Sequence, residues 1–125
     1  GKQEKNIHDC KVRDYSEFPE GVYVGNIILQ SNNNSNYCRG TLRKIIVTEK
    51  SIIIKGNDDI GGPIRAKFKK NSKNKTSIKI YAATKYDFIL SLSNNQIHIE
   101  PATTGQVCHA RGVFTEINTS SMQKI

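Results

Sequence analysis

The residues able to do chemistry are few, and their spacing works against them. His8, Asp9 and Cys10 supply a base, an orienting acid and a nucleophile in consecutive positions. Neighbours in an extended chain point apart, so they cannot hydrogen-bond to one another as a nucleophilic triad must. Cys108 and His109 fail for the same reason, because strand alternation sends them to opposite faces. His98, between Ile97 and Ile99, takes an outward strand position and reads as a solvated histidine. Asn57, Asp59 and Gly61 place residues at alternate positions as a calcium loop begins. The glycine stands where the third ligand belongs, and no glutamate follows at the closing position, so Gly61-Gly62 reads as a tight turn. No phosphate-cradling glycine loop, paired-histidine zinc helix or serine elbow occurs. The 11 acidic residues scatter mainly through arms and turns. The chain therefore reads as non-enzymatic, with no metal and no cofactor.

The elements that must position any site are strands. The segment Gly40 to Gly56 holds two β-branched runs, Ile45-Ile46-Val47 and Ile52-Ile53-Ile54, joined by the polar tetrad Thr48 to Ser51, which predicts a hairpin. Ahead of it, Val22 to Gln30 reads as the first strand, with a bend or bulge at Gly25. Strand two is expected from about Tyr37 to Val47 and strand three from Ser51 to Lys55, both rich in isoleucine on both faces, which predicts that they are covered on two sides or that the hairpin packs where the barrel is most closed. Period-two alternation then puts Ile64, Ala66 and Phe68 inward against Arg65, Lys67 and Lys69, and Ile78, Ile80 and Ala82 inward against Ser77, Lys79 and Tyr81. Tyr86, Phe88, Leu90 and Leu92 form the next inward set, followed by an Asn94-Asn95 turn and a strand through Ile97 and Ile99. The last strand, Val107 to Ile117, puts Cys108, Ala110, Gly112 and Phe114 on one face. About eight strands with short turns predict a small all-β antiparallel barrel, a lipocalin-like up-and-down barrel or a closely related sandwich. An OB-type barrel is the alternative, disfavoured because no segment reads as its helix. Residues 1–20 form an extended arm in this reading, 21–117 the barrel domain and 118–125 a mobile tail. Val12, Tyr15 and Phe18 also fit one helical turn closing the open end.

Three cysteines, Cys10, Cys38 and Cys108, allow one intramolecular bond and leave one thiol over. In an up-and-down order Cys38 and Cys108 meet at the same end of the barrel. Their strands flank the first one, about 9 to 10 Å apart at the spacing of paired strands, whereas disulfide Cα separations reach only about 7 Å. The bond therefore requires the loop end of strand one to step aside. Cys10 enters from the other end and is left as a thiol available for an intermolecular bond in a chain expected to be a monomer.

A chain of 125 residues is one domain with a single core. Its aliphatic runs are far shorter than the roughly 20 residues of a membrane-spanning helix. No charged and then apolar leader stands at the N-terminus, so a signal peptide is expected to have been removed, and the disulfide predicts a secreted or periplasmic protein. The net charge of +8 favours an acidic partner. Lys, Asn and Ile are all abundant, which an AT-rich genome would also produce, so the charge speaks to solubility before it speaks to partners.

Two surfaces follow. Tyr37, Arg39, His109 and Arg111 flank the disulfide at the barrel mouth, and Tyr and Arg are common at binding hot spots. Lys67, Lys69, Lys70, Lys73, Lys75 and Lys79 converge on one edge, where they suit an anionic partner or simply guard the edge against aggregation. The leading expectation is a non-enzymatic secreted or periplasmic binding protein of inhibitor or immunity type that recognises an acidic protein. The alternatives are a module binding an anionic polymer or membrane surface through the lysines, and a carrier of a small apolar ligand, which a core filled by Phe68, Phe88, Leu90, Leu92 and Phe114 would exclude.

Overall fold

The computed structural model describes residues 14–31, 38–71, 76–80 and 84–117. β-branched and aromatic side chains at alternate positions make strands throughout, and no helix occurs among the described residues. The strands are β1 (Gly21–Ser31), β2 (Gly40–Val47), β3 (Ser51–Asp58), β4 (Pro63–Lys69), β5 (Thr76–Ile80), β6 (Thr84–Ser93), β7 (Gln96–Pro101), β8 (Cys108–His109) and β9 (Gly112–Glu116). They form one curled antiparallel sheet in the order β4-β3-β2-β1-β9-β7-β6-β5. The first strand pairs with the last, so the half-barrel is joined between β1 and β9, and its ladder opens between β4 and β5. β8 lies off this path and pairs with the end of β1.

Two bulges face each other across β1 and β2. The register shifts between Val24 and Ile27 on β1 and between Leu42 and Lys44 on β2. The first falls at Gly25, as the sequence predicts, and for a packing reason. A β-carbon there would sit 2.8 Å from the Val113 carbonyl oxygen, so β9 approaches closely only because the side chain is absent. The second turns both Arg43 and Lys44 outward, and Arg43 Nη1 donates to Asn26 Oδ1 at 3.0 Å, tying one bulge to the other. The Asn94-Asn95 turn adopts φ of 51° and 62°, a left-handed pair that asparagine tolerates.

Tyr23, Leu42, Ile45, Ile52, Ile54, Tyr86, Phe88, Ile97, Ile99 and Phe114 fill the concave side. Several sequence expectations need correction. Ile46 and Ile53 face each other across β2 and β3 and are only half-buried, so the hairpin is covered on one side, not two. β3 runs on to Asp58, and Leu92, placed inward by its period, is exposed although its cross-strand partner Ile97 is fully buried, because it lies on the stretch of β6 past Phe88 that β5 does not pair. β2 starts at Gly40, not Tyr37, and the predicted last strand is broken into β8 and β9 at Ala110-Arg111, although its alternation survives the break.

The open seam is filled from the N-terminal side. β5 pairs with β6 only from Thr84 to Phe88, so among the described residues the rest of β6 has no strand partner on that edge, and Leu90 N–H donates to the Tyr15 hydroxyl at 3.5 Å instead. The segment Asp14 to Glu20 turns there, with Phe18 N–H donating to the Tyr15 carbonyl at 3.0 Å. Tyr15 and Phe18 are buried, their rings 5.1 Å apart, and Tyr15 continues through Phe68 to Phe88. Lys70 answers from the end of β4: its carbonyl accepts from Tyr15 N–H, and its ammonium donates to the Phe18 carbonyl at 2.7 Å. Residues 1–13 and 118–125, the remainder of the predicted arm and tail, lie outside the described residues. Tyr15→Ala should cost about 3–5 kcal/mol in urea melts, as deletion of a buried aromatic ring does. A change under about 1 kcal/mol would mean that the segment is an accessory.

Candidate functional site

The site is built where the last strand breaks. Cys108 pairs with Ser31 and His109 with Gln30, which fixes β8 to the outer end of β1. Cys108 is bonded to Cys38, 70 residues away in sequence, with Cα atoms 5.3 Å apart. The geometric objection raised by strand spacing is met differently from the expectation. The end of β1 stays in the ladder; Cys38 lies two residues ahead of β2's first paired residue, off the sheet, and is free to cross to Cys108.

The same departure separates the predicted mouth residues. Arg39 is carried towards the β3–β4 turn, where Nη1 lies 3.8 Å from Asp59 Oδ2 in an exposed ion pair, a contact worth little in water. It does not line the site, and Tyr37 lies outside the described residues. His109 and Arg111 do come together, on an open cleft of about 820 Å³ whose walls are the outward side of β1, the β8–β9 break and the loop 101–106. The sequence reading missed Ile28, Gln30 and that loop. The signal was available for Ile28: in the run Ile27-Ile28-Leu29 alternation forces one aliphatic outward, and Ile28 is 60% exposed.

Three contacts hold the cleft in shape. Tyr86, fully buried on β6, donates its hydroxyl to the Ala110 carbonyl at 2.9 Å, which supports the break from below. Gln106 caps the edge of β6: its amide nitrogen donates to the Asp87 carbonyl at 3.1 Å and its amide oxygen accepts from Asp87 N–H at 3.3 Å. Ala102 N–H donates to the same Asp87 carbonyl at 3.1 Å. A side-chain amide thus satisfies a strand's backbone groups where the ladder ends, and the loop is anchored at both ends. No hydrogen bond joins His109 to a hydroxyl or carboxylate among the described residues. The arrangement presents an arginine, an imidazole, amides and one exposed aliphatic together on a stiff frame.

The predicted lysine edge is only partly assembled. Lys67 and Lys69 are exposed on β4. Lys70 is a correction: it is 7% exposed and turned inward to Phe18, because that carbonyl has no ladder partner in the seam. Lys79 is carried by β5, and Lys73, Lys75 and Cys10 lie outside the described residues. In the loop that resembled a calcium site, Asp58 Oδ1 accepts from Ile60 N–H at 3.1 Å and Gly62 N–H at 2.6 Å, so that carboxylate organises the turn itself.

Burial pushes the Tyr86 phenol up to about 12 from 10.0, with Glu100 adding to the rise and the Ala110 bond and Arg111 opposing it. The folded chain holds this proton longer than the unfolded chain, so the contribution to stability is full below about pH 10 and is lost as pH rises towards 12. Tyr86→Phe should flatten that alkaline fall and cost about 1 kcal/mol near neutrality, where the Ala110 carbonyl loses its donor. Urea melts across the alkaline range check this, and an unchanged slope would contradict it.

No family model matches this chain, and comparison with curated proteins and with solved structures finds no significant match to either.

Proposed function

We propose that this chain is a non-enzymatic binding protein, secreted or periplasmic, whose cleft beside the disulfide takes a segment of a partner protein. One observation carries the reading: Ile28, His109 and Arg111 share a cleft whose walls are fixed by a disulfide, a buried tyrosine and a glutamine clasp. Rigid sites bind well because little order is lost on association. An exposed aliphatic beside an arginine matches the make-up of interface hot spots, where an apolar contact shields a charged pair from water. The partner segment is then an acidic side chain next to an aliphatic one, and the net charge of +8 would steer an acidic partner towards this chain.

The carrier reading has less support, since Phe88 and Phe114 are fully buried and Phe68, Tyr86 and Phe88 pack ring to ring. The disulfide fits an oxidising compartment. No described helix is long and apolar enough to cross a membrane.

The test is affinity capture from the extracytoplasmic fraction of the source organism at physiological salt, followed by calorimetry with the captured partner. Ile28→Asp and Arg111→Glu should each weaken that partner at least about tenfold, the equivalent of 1.4 kcal/mol. A partner bound equally by the double variant would place recognition elsewhere and overturn the proposal.

A further inference from the structure

The outer face of β2, β3 and β4 has a pattern that the cleft does not explain. It carries Arg43, Lys44, Lys55, Arg65, Lys67 and Lys69, all exposed. Three of these stand in direct register: Lys44 opposes Lys55, and Lys55 opposes Arg65. Adjacent strands are about 4.8 Å apart, so three cations form a line across the sheet at that spacing. No ion pair among the described residues reaches Lys44, Lys55, Arg65, Lys67 or Lys69. Like charges directly opposite one another weaken a sheet, so this row works against folding.

A lysine-rich composition alone would scatter cations over the whole barrel. The other half carries both signs, with Lys85 and Asp87 on β6, His98 and Glu100 on β7 and Glu116 on β9. Within β2, β3 and β4 the one carboxylate is Asp58, at the end of β3, which holds its own turn. Glu49 stands in the turn at the opposite end of these strands, and Asp59 follows Asp58. The cationic field is therefore a band across the middle of the strands, with carboxylates beyond both edges.

We infer that this band binds a linear acidic polysaccharide, its sulfate or carboxylate groups lying across the strands against Lys44, Lys55 and Arg65. A polymer in that direction meets cations alone. A flat anionic bilayer would also meet the carboxylates at the strand ends. Single-stranded nucleic acid is disfavoured because binders of that class offer aromatic platforms for the bases, and no aromatic side chain stands on this face of the three strands.

A fluorescent heparin octasaccharide titrated into the full chain tests this. Affinity should fall about tenfold to twentyfold between 50 and 200 mM salt, as expected for about three neutralised charges on a single-stranded polyanion. Lys55→Glu should abolish most of the binding without lowering the thermal midpoint, because the new carboxylate sits between two cations. Arg111→Glu, in the cleft, should bind the octasaccharide like the original chain, which keeps this inference separate from the cleft proposal. Full binding by folded Lys55→Glu would overturn the inference. So would tighter binding of oligo-dT or of phosphatidylserine vesicles than of the octasaccharide in the same buffer, since either assigns the band to another class of partner.

Discussion

One covalent bond holds the shortest described strand of this molecule in place. β8 is a strand of two residues, paired to β1 at Gln30 and Ser31 and separated from β9 by Ala110 and Arg111. So short a ladder has little stability of its own. The Cys38–Cys108 bond secures it at one end and removes freedom from a long segment of the unfolded chain, worth a few kcal/mol in the chain-entropy picture. Tyr86 secures the other end through Ala110. With both in place the break in the last strand is a fixed corner, and that corner sets His109 and Arg111 beside the outward face of β1.

The opposite opening is solved by packing instead. The ladder stops between β4 and β5, and the seam is filled by Tyr15, Phe18 and the stem of Lys70. Lys70 shows why a buried ammonium is tolerable: its hydrogen bond to the Phe18 carbonyl gives both groups a partner. The corner and the seam thus use different means, a covalent bond beside β1 and an aromatic plug between β4 and β5. The outer face of β2 to β4 is left free to carry a band of charge.

Much of this was legible from residue order. Strict alternation gave most of the inward sets and Asn94-Asn95 gave its turn, because each rests on local chemistry; the glycine type alone marked the bulge at Gly25, although what requires it is the approach of Val113 on β9. The Cys38–Cys108 pairing was also legible, since an up-and-down order puts both at one end. What escaped depends on contacts distant in sequence. Nothing near Lys70 says that a carbonyl 52 residues away waits for its ammonium, and nothing near Gln106 says that it will finish the edge of β6. Arg39 was misplaced because Cys38, by leaving the ladder, takes its neighbour towards Asp59. The row Lys44, Lys55, Arg65 was hidden because the bulge in β2 shifts the register on which it depends.

The disulfide and the corner it holds give the cleft its shape. Amide hydrogen exchange of the oxidised chain and of the Cys38→Ser/Cys108→Ser double variant tests it directly, because local opening is read residue by residue. Gln30, Ser31, His109 and the loop 101–106 should lose protection in the variant while β2, β3 and β4 keep theirs. Unchanged protection in that loop and in β8, or an even loss across every strand, would contradict it.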